Sequence, residues 1–141
     1  MDKLLRIIDV NLNRSQEGLR VCEDIVRFIL EDKSLLRSFK SLRHRVRELA
    51  KRAHRTKPLI LRARNIRRDY GRSTIRTESR RRDVRDIFCA NAQRTKEALR
   101  VLEEISKLID KKISQSFKKT RFRAYELEKR SSVKLEALLH N

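Results

Sequence analysis

Asn11–Asp24 reads NLNRSQEGLRVCED, and Asn91–Glu104 reads NAQRTKEALRVLEE. Laid one above the other, the two stretches agree at seven of fourteen positions: Asn, Arg, Glu, Leu, Arg, Val and Glu, from Asn11/Asn91 to Glu23/Glu103. A second match follows each copy. Phe39-Lys40-x-x-Arg43-x-Arg45-x-x-Glu48-Leu49 aligns with Phe117-Lys118-x-x-Arg121-x-Arg123-x-x-Glu126-Leu127. The offset is 91 − 11 = 80 for the first pair and 117 − 39 = 78 for the second, so the intervening turn is two residues shorter in the second copy. Self-similarity at a near-constant offset marks a duplicated structural unit.

Within each unit the apolar residues recur at helical spacing. Leu4, Ile8, Leu12, Leu19, Cys22, Val26 and Ile29 share one side of a helix, and Val84, Ile87, Ala98, Leu102, Ile105 and Ile109 do the same in the second copy. The return helices carry Leu35, Phe39, Leu42, Val46 and Leu49, then Ile113, Phe117, Ala124 and Leu127. The pattern predicts four helices over 3–31, 34–54, 81–109 and 112–138. Gly18 and Ala98 are equivalent, and small residues there would let the two long helices cross closely. The expected fold is all-α: duplicated helical hairpins forming a four-helix bundle-like domain with pseudo-twofold symmetry. One domain is expected over 1–141, with hairpins at 1–55 and 80–139. The connecting segment 56–79 holds Pro58, Gly71 and six arginines. A connection of that length is functional or disordered as a rule; the run Pro58-Leu59-Ile60-Leu61 and the Asp69-Tyr70-Gly71 turn signal favour at least partial order.

Composition agrees with long helices. Among 141 residues there are 2 glycines and 1 proline, too few for the turns a sheet needs. Apolar residues make up 38% and charged residues 40%, enough for one core if the apolar residues align on helix faces. Lys and Arg number 38 against 19 Asp and Glu, a net charge of +19 that draws anions: nucleic acid, phosphorylated small molecules or acidic surfaces. Cys22 and Cys89 fit no metal or redox spacing, and Cys22 falls on an apolar face as a small core residue. No apolar run reaches bilayer length and no leader pattern opens the chain, so a cytoplasmic location without a membrane partner is expected. Oligomeric state has no signature here.

Polar residues interrupt the apolar faces at matching places. Asn11 and Asn91 lie near the face centres, with Ser15 and Thr95 within them and Arg14 and Arg94 toward an edge. A buried amide or guanidinium without a partner costs several kcal/mol, roughly 2–7 on transfer scales. Two arrangements would meet that cost. One is an internal network in which Arg14 and Arg94 pair with Glu97 and Glu17. The other is a cleft between the long helices where amides and guanidiniums meet an anionic ligand. Glu17, Glu97, Glu23 and Glu103 flank the faces, either as ordinary helix salt bridges or as carboxylates that hold Mg²⁺ or orient arginines. Arg43 and Arg121 occupy matching helix edges, while Arg20 and Arg100 point outward, toward surface roles. Two glycines make no P-loop or dinucleotide turn, and His44, His54 and His140 form no ligand set.

The motifs resemble a known family. Its opening motif is similar to Arg6-Ile-Ile-Asp9-x-Asn11-x-x-Arg14-x-x-Glu17-Gly18-Leu19-Arg20-Val21-x-Glu23. Its second is similar to Arg81-x-Asp83-Val84-x-Asp86-Ile87-x-x-Ala90-Asn91-x-x-Arg94-x-x-Glu97-Ala98-Leu99-Arg100-Val101-Leu102-Glu103-Glu104, and its close to Arg121-x-Arg123-x-Tyr125-x-Leu127-Glu128. This is the helical, strictly monofunctional hydroxymethylpyrimidine phosphate kinase family of thiamine biosynthesis, whose domain also occurs fused ahead of thiamine phosphate synthase. The resemblance implies ATP-dependent phosphorylation of hydroxymethylpyrimidine phosphate to the diphosphate, with ATP and Mg²⁺ as cofactors. Catalytic roles then fall to Arg14, Arg94, Glu17 and Glu97. Asn11, Asn91, Arg43, Arg121, Arg64, Asp69 and Gly71 become substrate contacts, and Glu23 and Glu103 metal ligands. In the middle segment Arg64-Asn65-Ile66-Arg67-Arg68-Asp69-Tyr70-Gly71, Asn65 stands where the family carries an aspartate, which weakens a metal site there. The alternatives are a basic helical nucleic-acid-binding module, supported by charge alone and offering few stacking aromatics at 5% of residues, and a non-catalytic relative of the synthase's N-terminal domain.

Overall fold

The computed structural model describes residues 2–53 and 80–140, which form four helices and no strand. Helix α1 spans Asp2–Ile25 and runs on into a π-helical turn, Val26–Leu30. Helix α2 spans Lys33–Ala53, α3 Val84–Ser106 and α4 Lys111–Leu139. Expectations about Asn65, Arg64, Asp69 and Gly71 lie outside the described residues.

Local chemistry sets the helix starts. Asp83, in extended backbone, accepts a hydrogen bond from the Asp86 amide at 2.9 Å and so starts α3 later than periodicity suggests. Asp32 caps α2 by accepting from the Leu35 amide at 2.9 Å, and Asp110 caps α4 by accepting from Lys112 at 2.8 Å. The turns account for two departures from the predicted apolar faces. The π turn holds an extra residue per turn, which swings Phe28 and Ile29 into solvent at 64% and 45% exposure. The first chain reversal follows at Glu31, a non-glycine residue in the left-handed region at φ 52°. After Ser106 the second long helix gives way to a turn, which leaves Leu108 and Ile109 exposed.

The core follows a seam of alternating three- and four-residue steps, as in coiled-coil packing. Leu5, Ile8, Leu12, Ser15, Leu19 and Cys22 are buried on α1 and Val26 on the π turn that continues it, and Phe88, Ala92, Thr95, Leu99, Leu102 and Ser106 on α3. The seam on α1 uses Leu5 rather than the expected Leu4. On α3 it uses Phe88 and Leu99, whereas the expected Ile87 is at the exposed boundary. Helix α3 packs against both α1 and α4, so its buried face takes in Phe88 and Leu99. The buried residues Leu35, Phe39, Leu42, Val46 and Leu49 of α2 and Ile113, Phe117, Ala124 and Leu127 of α4 are as expected. Cys22 is fully buried, and burial lifts its thiol well above the ordinary range, consistent with a core role.

Helices α1 and α3 run antiparallel and touch backbone to side chain at their midpoints. Thr95 Oγ1 lies 3.0 Å from the Asn91 carbonyl and 3.4 Å from the Ser15 carbonyl, while Ser15 donates to Leu12 O at 2.9 Å. Gly18 faces this point: a Cβ built on it would sit 2.7 Å from the Asn91 carbonyl oxygen and collide with Thr95 Oγ1. The close crossing expected of Gly18 is therefore present. The antiparallel sense continues at Cys22, whose Sγ lies 3.7 Å from the Phe88 carbonyl. No described helix is long and apolar enough to cross a membrane.

Candidate functional site

Both repeated amides donate within their own helices. Asn11 Nδ2 donates to Ile7 O at 2.9 Å and Asn91 Nδ2 to Ile87 O at 2.8 Å. That back-bond meets part of the desolvation cost and leaves each Oδ1 as the side chain's remaining acceptor. Asn11 is buried, Asn91 half-buried.

Arg14, Glu17, Arg94 and Glu97, predicted to be catalytic, are all exposed on α1 and α3. The suggested pairing of Arg14 with Glu97 is not among the contacts of the described residues; Glu97 instead accepts from Gln93 Nε2 at 2.9 Å.

The guanidiniums gather on Glu23 and Glu103. Glu23 is buried and takes Arg43 side-on, with Nε to Oε2 at 2.7 Å and Nη2 to Oε1 at 3.3 Å; Arg20 Nη1 lies 3.9 Å from Oε1. Glu103 is equally buried and takes Arg121 Nε at 3.1 Å and Arg100 Nη1 at 3.2 Å, while Arg100 Nη2 reaches Glu104 at 3.1 Å. Arg20 and Arg100 thus lie at the surface, as expected, yet close each cluster from its rim. Such a carboxylate is neutralised by guanidiniums, and its lone pairs are committed. Among the described residues no group of three His, Cys, Asp or Glu side chains could hold a metal ion. Glu23 and Glu103 fit the arginine-orienting role better than the metal-ligand role.

The two clusters hold their arginines differently. Arg43 is buried, with a fork of its guanidinium on Glu23. Arg121 uses Nε on Glu103 and lines an open groove of about 360 Å³ between α3 and α4, together with Gln93, Lys96, Glu97, Arg100 and Tyr125. Lys96 is the buried member of this wall. Its Nζ is 2.5 Å from Glu128 Oε2 and 4.4 Å from the centre of the Tyr125 ring. Glu128 supplies the counter-charge and the ring face adds a cation–π contact. The groove thus combines cationic groups with an aromatic ring, an amide and the Glu97 carboxylate.

A family model matches residues 6–130, and its description is the ThiD2 family. The chain belongs to the ThiD2 family. Similar proteins include the thiamine-phosphate synthase of Synechocystis sp., 40% identical over 126 residues, covering 89% of this chain and 35% of that protein. The thiamine-phosphate synthase of Nostoc punctiforme is 41% identical over 124 residues (87% and 34%), and that of Rhodopirellula baltica 33% over 136 residues (96% and 36%). The chain thus spans about a third of the length of these curated relatives. No solved structure matches it.

The ThiD2 match runs through both arginine clusters and the groove. Of the groove's residues, Glu97 and Arg121 were expected from the motifs. Gln93 and Lys96 were not, and Tyr125 stood in the closing motif without a site role; all three break the repeat, since the first copy carries Asn13, Gln16 and Arg47 at those places. A lysine on the flank of an apolar helix face reads as solvated in sequence, and only the approach of Glu128 from α4 shows otherwise.

Proposed function

We propose that the chain catalyses ATP-dependent phosphorylation of hydroxymethylpyrimidine phosphate to the diphosphate. The observation that carries this reading is the convergence of Lys96, Arg100 and Arg121 in one groove beside Gln93 and Tyr125. The ThiD2 match and relatives named thiamine-phosphate synthase support a role in thiamine biosynthesis. The chemistry suits these residues. The attacking group is an oxygen of the substrate's own phosphate, anionic near neutral pH, so no general base is needed. The protein's part is to align two anions and offset their charge, work that guanidiniums and ammoniums perform. Arg121 and Arg100, held by Glu103, present pre-oriented donors. The free hydroxymethyl alcohol, by contrast, is a poor nucleophile that needs a positioned base, and the groove contains no histidine. Magnesium would arrive on the nucleotide's phosphates. The described carboxylates do not fit a protein-held ion, and no step here depends on one.

A coupled kinase assay tests the reading, with the monophosphate and the free alcohol as parallel substrates. Turnover of the monophosphate alone is expected. Comparable turnover of the alcohol would reveal a base and refute the mechanism. No turnover by folded protein with Mg·ATP, together with salt-sensitive binding to duplex nucleic acid, would favour the nucleic-acid module instead.

A further inference from the structure

The groove between α3 and α4 is not a copy of its counterpart in the first hairpin. By the repeat offsets, Lys96 corresponds to Gln16 (96 − 80), Tyr125 to Arg47 (125 − 78) and Glu128 to Ala50 (128 − 78). The ammonium, the ring and the acid that hold one another are therefore all peculiar to the second hairpin. Arg43, the first hairpin's equivalent of Arg121, donates to Glu23 from both Nε and Nη2, whereas Arg121 donates to Glu103 from Nε.

Three features define what this groove accepts. Its volume, about 360 Å³, lies near the lower end of small-molecule sites, about 300–1,000 Å³. That gives room for one ring bearing one phosphate. Lys96 has three N–H donors; its ammonium is ion-paired with Glu128 and can turn a donor to an incoming oxyanion while Tyr125 stays on its flank. Tyr125 remains 45% exposed with Lys96 against it, so part of the ring is open to stacking. Gln93 supplies an amide with both a donor and an acceptor for a heterocycle edge.

We propose that this groove is the acceptor site: it binds a monophosphorylated planar heterocycle, the phosphate on Lys96 and Arg121 and the ring on Tyr125, while the nucleotide binds elsewhere. The word acceptor rests on the phosphotransfer reading; the binding assignment does not.

Calorimetry on the full chain tests it with four probes: hydroxymethylpyrimidine phosphate, free hydroxymethylpyrimidine, inorganic phosphate and a non-hydrolysable ATP analogue. Tyr125→Leu should weaken both pyrimidines about tenfold, the scale of one lost ring stack, and leave inorganic phosphate and the ATP analogue unchanged. Lys96→Gln should weaken the phosphorylated pyrimidine and inorganic phosphate by about tenfold or more, as for a lost charge-assisted bond, and leave the free pyrimidine unchanged. Loss of ATP-analogue affinity with retained pyrimidine affinity would overturn the assignment, as would no change for any probe. Should Lys96→Gln fail to fold, Tyr125→Leu decides alone, because that side chain is half exposed. Absence of turnover with these binding differences intact would remove the phosphotransfer reading and leave the site standing.

Discussion

Replacing Gly18 by alanine tests how closely α1 and α3 are locked together. In an exposed helix the change would stabilise by about 1 kcal/mol, because glycine is the poorer helix former. Here the new Cβ would lie 2.7 Å from the Asn91 carbonyl oxygen and overlap Thr95 Oγ1. Thr95 cannot turn aside cheaply. It is β-branched and 1% exposed, and its hydroxyl is engaged with the Asn91 and Ser15 carbonyls at 3.0 and 3.4 Å. Over-packing of a fitted core costs about 1–3 kcal/mol, and losing Thr95's hydrogen bonding adds about 0.5–1.5 kcal/mol. Against the propensity gain, a net destabilisation of about 1–3 kcal/mol follows. For a chain of this size that is a fall in Tm of about 3–10 °C, read by thermal denaturation followed by circular dichroism. Adding Thr95→Ala should restore only part of it, because the Asn91 carbonyl is backbone and stays in the way. A Gly18→Ala protein more stable than its parent would show that the helices do not cross at this distance.

Other outcomes follow from the same contacts. Arg43→Ala should destabilise by about 3–5 kcal/mol, because it strands the buried Glu23 carboxylate; Arg43→Met with Glu23→Leu should recover most of that in urea titrations, and equal losses in single and double variants would contradict it. Glu31→Gly should raise stability by about 0.5–1 kcal/mol, since the left-handed backbone there is costly for a residue with a Cβ; a lower Tm would argue against that conformation. The Leu35 amide and then the Lys134 ammonium hold the Asp32 carboxyl below its usual range. A depressed carboxyl contributes stability above its unfolded pKa, about 3.9, and that contribution is lost as pH falls through the folded value. Asp32→Asn should therefore flatten the fall in Tm below about pH 4, and an unchanged acid slope would refute the link.

Much of the fold was legible because helix faces repeat locally. The apolar positions of α2 and α4 stand at fixed three- and four-residue steps, and no distant contact was needed to place them. Where the expectation slipped at Ile29 and Ile109, the cause was a change of helix phase or length: a π turn in one and an early helix end in the other. The site was less legible. The repeat singled out Glu23, Glu103, Arg43 and Arg121, yet which carboxylate takes which guanidinium depends on how each return helix lies on its partner. Arg43 and Arg121 look alike in sequence; one gives two guanidinium atoms to its carboxylate, and the other gives one and lines a groove.

By itself the sequence determined an all-helical chain, two related motifs with their helix spacing, a close approach at Gly18 and a surplus of cationic groups for anions. These are properties of single helices, set by side chains three and four residues apart. Only the tertiary structure decided that Lys96 is buried against Glu128 and Tyr125, that Glu23 and Glu103 hold arginines, and that a groove forms beside the second cluster. Each joins residues of different helices, so its energy depends on distances that no spacing along one chain segment encodes.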